Sequence, residues 1–238
     1  MTEAEWLVKP DTIKLKNRAG LLLSKRKCLL AVCAYGLQVA DSSTVPPLGA
    51  YLKNWEAKAD AIPLAPFTLD EMYQQMAALV EGHAINTPPQ AICAALGYMI
   101  QTSVDRGIIG PVMMAGVCRS VTWLKFPGAR LVLDKPKESD PEAYASYLSE
   151  AENFYSIVLD TLGNPFRPVA VAPEWRTDTA VTLARGVYQS RDFGAMPILA
   201  DALPDAGCDN ANILNHCRDV NQVHVRGCWV VDLVLGKE

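Results

Sequence analysis

Histidine is scarce in this chain, three in 238 residues, and the short motifs that announce a cofactor or a nucleophile are missing. There is no glycine-rich phosphate loop, no Gly-x-Ser-x-Gly, no His-Glu-x-x-His and no paired Cys-x-x-Cys. So few imidazoles leave a catalytic triad few ways to form. Long apolar runs are missing as well. The longest stretch without a charged side chain, Gly82 to Val104, is interrupted by Asn86, Pro88, Pro89, Gln90, Gln101 and Thr102. Only Ala91–Ile100 is continuously apolar, too short to span a bilayer. Met1-Thr-Glu-Ala-Glu-Trp has neither a basic n-region nor an apolar h-region, so no secretory signal is expected. No alternating hairpin pair and no internal repeat of 20–50 residues is apparent.

What is present is apolar: half of the residues are hydrophobic, a fifth are charged, and the formal charge is −4. Such a chain buries enough surface to offset its ordering entropy, which excludes intrinsic disorder. Its seven cysteines, 28, 33, 93, 118, 208, 217 and 228, are odd in number and mostly sit in apolar runs. They are expected as buried free thiols in a reducing cytoplasm, not as a disulfide framework. Residues 1–27 hold seven basic against three acidic side chains. This basic arm is the one feature that would attract nucleic acid, though no aromatic residues interleave it.

Helical periodicity dominates, and the expected fold is all-α: one multi-helical domain, closed by a short strand or irregular C-terminal segment. Thr2 and Glu5 form a capping box for a short first helix. Ser24 caps a second, nearly all apolar from Leu29 to Leu37. Pro46 opens a third, with Leu48, Tyr51, Leu52, Trp55 and Ala59 on one face. Thr68 and Glu71 form another capping box before the stripe Leu69, Met72, Tyr73, Met76, Leu79, Val80, which ends at Gly82. His83 follows as a surface cap. Pro89–Val104 and Pro111–Leu124 read as a buried hairpin, in which Ala94, Ala95, Gly97, Ala115 and Gly116 would let two backbones approach. The segments 29–37 and 91–118 are the expected core. Residues 134–140 form a charged linker, a candidate division between 1–134 and 141–238.

From Pro141 the stripe Tyr144, Tyr147, Leu148, Ala151, Phe154, Tyr155, Val158, Leu162 predicts a long helix, stopped by Gly163 and Pro165. Helical patterns resume at Thr179–Gln189, Ala195–Leu203 and Asn210–Arg218. Val223–Leu235 is β-branched and apolar, and periodicity does not choose between helix and strand. It is expected as a structural closing element inserted against 142–162 and 179–203, with Arg226 and Asp232 as its polar edges.

The strings Gly163-Asn-Pro-Phe-Arg-Pro, Ala195-Met-Pro-Ile-Leu-Ala-Asp-Ala-Leu, Asp205-Ala-Gly-Cys-Asp, His216-Cys-Arg and His224-Val-Arg-Gly-Cys-Trp-Val-Val-Asp-Leu form a signature. Together with Met1-Thr-Glu-Ala-Glu-Trp-Leu and Ser24-Lys-Arg-Lys, it resembles a large paralogous family of planctomycete proteins. The resemblance covers 150–238 well and 1–40 weakly, and it leaves out the middle, roughly 45–140. It implies a bacterial source and supplies no activity to carry over. Members of that family usually carry glutamate where this chain has Pro204, so the helix there is expected to end early.

One cluster could carry chemistry: Cys208, His216, Cys217, His224 and Cys228, five soft or imidazole groups within 21 residues. Cys208, His216, His224 and Cys228 are the zinc-ligand candidates, although their spacing matches no standard zinc motif. A nucleophile pair of Cys208 or Cys228 with His224 is a second use of the same residues. Arg167, Arg176, Arg185, Arg191, Arg218 and Arg226, with Trp175, could gather an anion, or simply pair with Glu174, Asp178, Asp192, Asp201 and Asp232. With no cofactor loop, the leading reading is a non-enzymatic cytoplasmic interaction or adaptor protein with no cofactor. The alternatives are a zinc-binding protein or enzyme built on Cys208–Cys228, and nucleic-acid association through the basic arm.

Overall fold

A computed structural model describes residues 3, 21–22, 24–42, 46–60, 66–81, 91–98, 108–109, 111–131 and 138–237. The Thr2–Glu5 box, His83 and most of the basic arm lie outside them. The fold is all-α. Its helices are α1 (Lys25–Ser42), α2 (Pro46–Lys58), α3 (Pro66–Glu81), α4 (91–98), α5 (Pro111–Lys125), α6 (Pro141–Leu162), α7 (Asp178–Ser190), α8 (Met196–Asp205), α9 (Ala211–Arg218) and α10 (Trp229–Leu235). Two-residue strands at Leu21–Leu22 and Ile108–Ile109 pair antiparallel. The chain divides into two compact units, Met1–Tyr155 and Ser156–Glu238. The division falls inside α6.

In the first unit α1 packs on α2, and α2 on α3. Ser24 caps α1 by accepting from the Lys27 N–H at 3.2 Å. Residues 28–35 are buried on every side, as their composition requires. Gly36 lets Leu52 close in, because a Cβ there would lie 2.8 Å from its Cδ1. Trp55 donates to Gln75 at 2.7 Å, and Tyr35 donates to Glu150 at 2.8 Å. Two expectations need correction here. Helix α3 begins at Pro66, so Thr68 lies inside it and does not cap it. Three of the small residues expected to bring α4 and α5 together, Ala94, Gly97 and Gly116, are placed otherwise. Ala94 and Gly116 face solvent, and Gly97 instead meets Met76 of α3, where a Cβ would stand 3.3 Å away.

In the second unit each helix is bounded by local chemistry. Thr177 caps α7 by accepting from Ala180 N–H at 3.3 Å. Asn210 caps α9 by accepting from Asn212 and Ile213 at 3.0 and 3.3 Å. Helix α8 runs through Pro204, against the expected early end. Pro204 sits in the last turn, and Gly207 (φ +87°) closes the helix by a bond from Cys208 N–H to the Leu203 carbonyl at 3.0 Å. The β-branched closing segment is a turn followed by α10. It packs on α7, and Val225, Val230, Val231 and Val234 are buried. Asp232, expected at a polar edge, is buried too.

Candidate metal centre

Asp160 occupies the last turn of α6, three residues after the buried Ile157. Gly163 (φ +68°) ends that helix, its N–H bonding the Leu159 carbonyl at 2.8 Å. The carboxylate of Asp160 is completely buried. Its Oδ2 accepts the Val225 N–H at 2.8 Å and so pins the turn that carries His224 and Cys228. Within that turn Cys228 N–H bonds the Val225 carbonyl at 2.9 Å, and Gly227 takes φ +97°. His216 enters from the last turn of α9.

Four ligand-type atoms converge. His224 Nδ1 lies 2.8 Å from Asp160 Oδ1, and His216 Nε2 lies 3.1 Å from the same oxygen. Cys228 Sγ stands 3.2 Å from His216 Nε2 and 3.9 Å from His224 Nδ1. All four atoms fall within 4.8 Å of one another. The His216 and His224 side chains are only 10% and 6% exposed. Trp229 leans on His216 at 5.0 Å between ring centroids, and Phe193 stacks on His224 at 6.1 Å. His224 Nε2, on the far side of its ring, is buried without a hydrogen-bond partner among the described residues.

Electrostatics match this packing. Burial alone would push the Asp160 carboxyl up. The hydrogen bonds and positive character of His216 and His224 outweigh it and hold the group below the usual carboxylate range. Burial, reinforced by the Asp160 charge, pushes the Cys228 thiol well above its ordinary value. A lone Cys228 is therefore a protonated, enclosed thiol and a poor nucleophile.

The geometry also distinguishes two chemistries. A nucleophile–base–acid relay needs the two nitrogens of one imidazole to face different partners. Here His216 meets both Asp160 and Cys228 through Nε2, and His224 meets both through Nδ1. The contacts therefore gather one atom from each of the four residues into a single cluster. Zinc held at about 2.0–2.3 Å by N, O and S donors spans a tetrahedron with edges of about 3.3–3.6 Å. Four of the six separations run from 2.8 to 3.9 Å, around those edges, and all six fall within 4.8 Å.

Three of the four residues singled out from sequence, His216, His224 and Cys228, are brought together. Cys208 is not: it closes α8 and lies in the core with Cys217. Asp160 takes the fourth place. It is 56 positions before His216, so no local spacing pointed to it, and helical spacing puts it opposite the apolar stripe of α6; its burial comes from tertiary packing alone. Two of the arginines singled out from sequence have defined contacts. Arg176 donates to the Val234 carbonyl at 2.9 Å, and Arg226 lies over the Tyr188 ring at 4.5 Å. Comparison with known proteins finds no match: no family model, no curated protein and no solved structure matches this chain.

Proposed function

We propose that the second unit is a metal-binding module. Asp160 Oδ1, His216 Nε2, His224 Nδ1 and Cys228 Sγ hold one tetrahedral divalent ion of the zinc class. The observation that carries this reading is the convergence of four donors of ligand type, one atom from each residue, within 4.8 Å of one another. Charge supports it. A carboxylate and a thiolate, with two neutral imidazoles, balance a divalent cation in a site that excludes water. The thiolate and imidazoles favour zinc over magnesium or calcium, which take oxygen donors. Four protein ligands leave no open position, which is the pattern of a structural ion and not of a catalytic one.

On this reading the chain is non-enzymatic, and the ion staples α6, α9 and the closing segment together. The remainder acts as an interaction or adaptor protein whose partner is another protein. The seven free, buried thiols support a reducing, cytoplasmic setting.

The test is elemental analysis of protein purified without chelator, followed by cobalt(II) substitution. We expect one zinc per chain, and cobalt ligand-field bands of a tetrahedral site with a sulfur-to-cobalt charge-transfer band. Cys228→Ser should remove that band, and Cys208→Ser should leave it intact. Failure of equilibrium dialysis to load any zinc would overturn the reading, as would binding that survives Asp160→Ala but not Cys208→Ser.

A further inference from the structure

Two of the four ligands, His224 and Cys228, lie on the closing segment, and helix α10 follows directly from Cys228. Seven residues make a helix that is marginal without external anchors. At its start the segment is tied by the Asp160–Val225 bond already described. At its end Gly236 (φ +68°) forms a two-bond closure. Gly236 N–H reaches the Leu233 carbonyl at 3.2 Å, and Lys237 N–H reaches the Asp232 carbonyl at 2.9 Å. That closure does not use the Val234 carbonyl, which receives Arg176 Nε at 2.9 Å. The guanidinium lies so close over Gly236 that a Cβ there would collide with Nη2.

Arg176 is itself well placed. Its N–H bonds the Pro173 carbonyl at 3.1 Å, and it directly precedes Thr177, the cap of α7. Helix α10 packs against that same α7. One side chain thus fastens the end of the ligand-bearing segment to the start of the helix beneath it. A cation at a helix C-terminus is favoured by the helix dipole as well.

We infer that Arg176 is a positioning residue for the metal centre, latching α10 so that Cys228 and His224 stay on the ion and setting the rate at which the ion leaves. This rests on the metal-binding reading. The ligands are buried, so exchange needs the closing segment to lift. The latch opposes that lifting without touching a ligand.

The experiment uses the full chain loaded with zinc and mixed with excess chromogenic chelator. Arg176→Ala should release zinc about tenfold faster, the effect of losing one charge-assisted hydrogen bond. Its zinc stoichiometry and its cobalt(II) spectrum should stay as in the wild type. Arg176→Lys, which keeps the charge and one donor, should fall between the two. Arg176 is otherwise exposed, so neither change opens a core cavity. Wild-type release rates from both variants, with zinc still bound, overturn the latch and leave the metal reading standing. A wild-type chain that takes up no zinc overturns both. Loss of the cobalt bands in Arg176→Lys assigns the arginine to the fold alone and also overturns the latch.

Discussion

At the scale of single residues, Asp160 has the most to do. One oxygen faces His216 and His224, and the other holds Val225. Asp160→Asn keeps the size but cannot serve both imidazoles as an anion. We expect zinc affinity to fall by at least about 100-fold, since even outer-shell losses at metal sites cost about 10–100-fold. Competition with a chelator of known affinity measures it. The same variant without metal should lose about 3–5 kcal/mol in urea unfolding, the scale for breaking a buried charged pair. A different residue-scale effect belongs to Cys118. Burial is the largest cause raising its thiol to about 12, the Tyr35 hydrogen bond opposes it, and Glu150 adds to it. The unfolded thiol titrates near 8.5. As pH rises past about 8.5 the unfolded chain therefore loses this proton first, and stability falls up to the folded value. The contribution is complete below about pH 8.5 and declines above it by on the order of 1 kcal/mol per pH unit. Urea midpoints at about pH 7.5 and 9.5 should separate further in the wild type than in Cys118→Ala.

At the scale of elements, two glycines in helical settings should respond with opposite signs. Gly163 ends α6 at φ +68°, and a Cβ there would stand 3.0 Å from the Trp229 ring. Gly163→Ala combines left-handed strain with that contact, so thermal unfolding should show a loss of about 2 kcal/mol. Gly116 lies inside α5, faces solvent, and has nothing within 4 Å of its missing Cβ. Gly116→Ala should stabilise by about 0.5–1 kcal/mol in the same assay. Trp229 is half-buried, between Gly163 and His216. Removing its ring opens a gap beside His216, a proposed ligand, so Trp229→Ala should both lower the melting temperature and speed zinc loss. A variant that melts like the wild type and retains its zinc would show that this ring is not part of the site's support.

At the scale of the whole molecule, all four proposed ligands belong to one unit, Ser156–Glu238. An ion bound only by the folded state stabilises by mass action, about 4 kcal/mol at a free concentration a thousand times its dissociation constant. Calorimetry of the full chain should show added zinc raising the unfolding of the second unit and chelator lowering it. The transition of the first unit, whose core is built on Tyr35, Trp55 and Phe154 without a ligand cluster among the described residues, should move much less.

The sequence by itself determined the helical class, because three- and four-residue apolar spacing needs no knowledge of neighbours. It also located α6, α7 and α9 to within a residue or two, because proline, glycine and asparagine caps act locally. His216, His224 and Cys228 stood out because imidazoles and thiols are few and lie close along the chain. Only the tertiary structure chose Asp160 over Cys208. Cys208 is near the histidines in number, but the turn that closes α8 commits it to the core. Asp160 is distant in number, yet the end of α6 delivers it to the same point. Helix α10 was likewise undecidable from Val223–Leu235, where β-branched apolar residues suit strand and helix alike. Its outcome came from Gly236, from packing on α7, and from an arginine 58 positions before Val234 that donates to that residue's carbonyl.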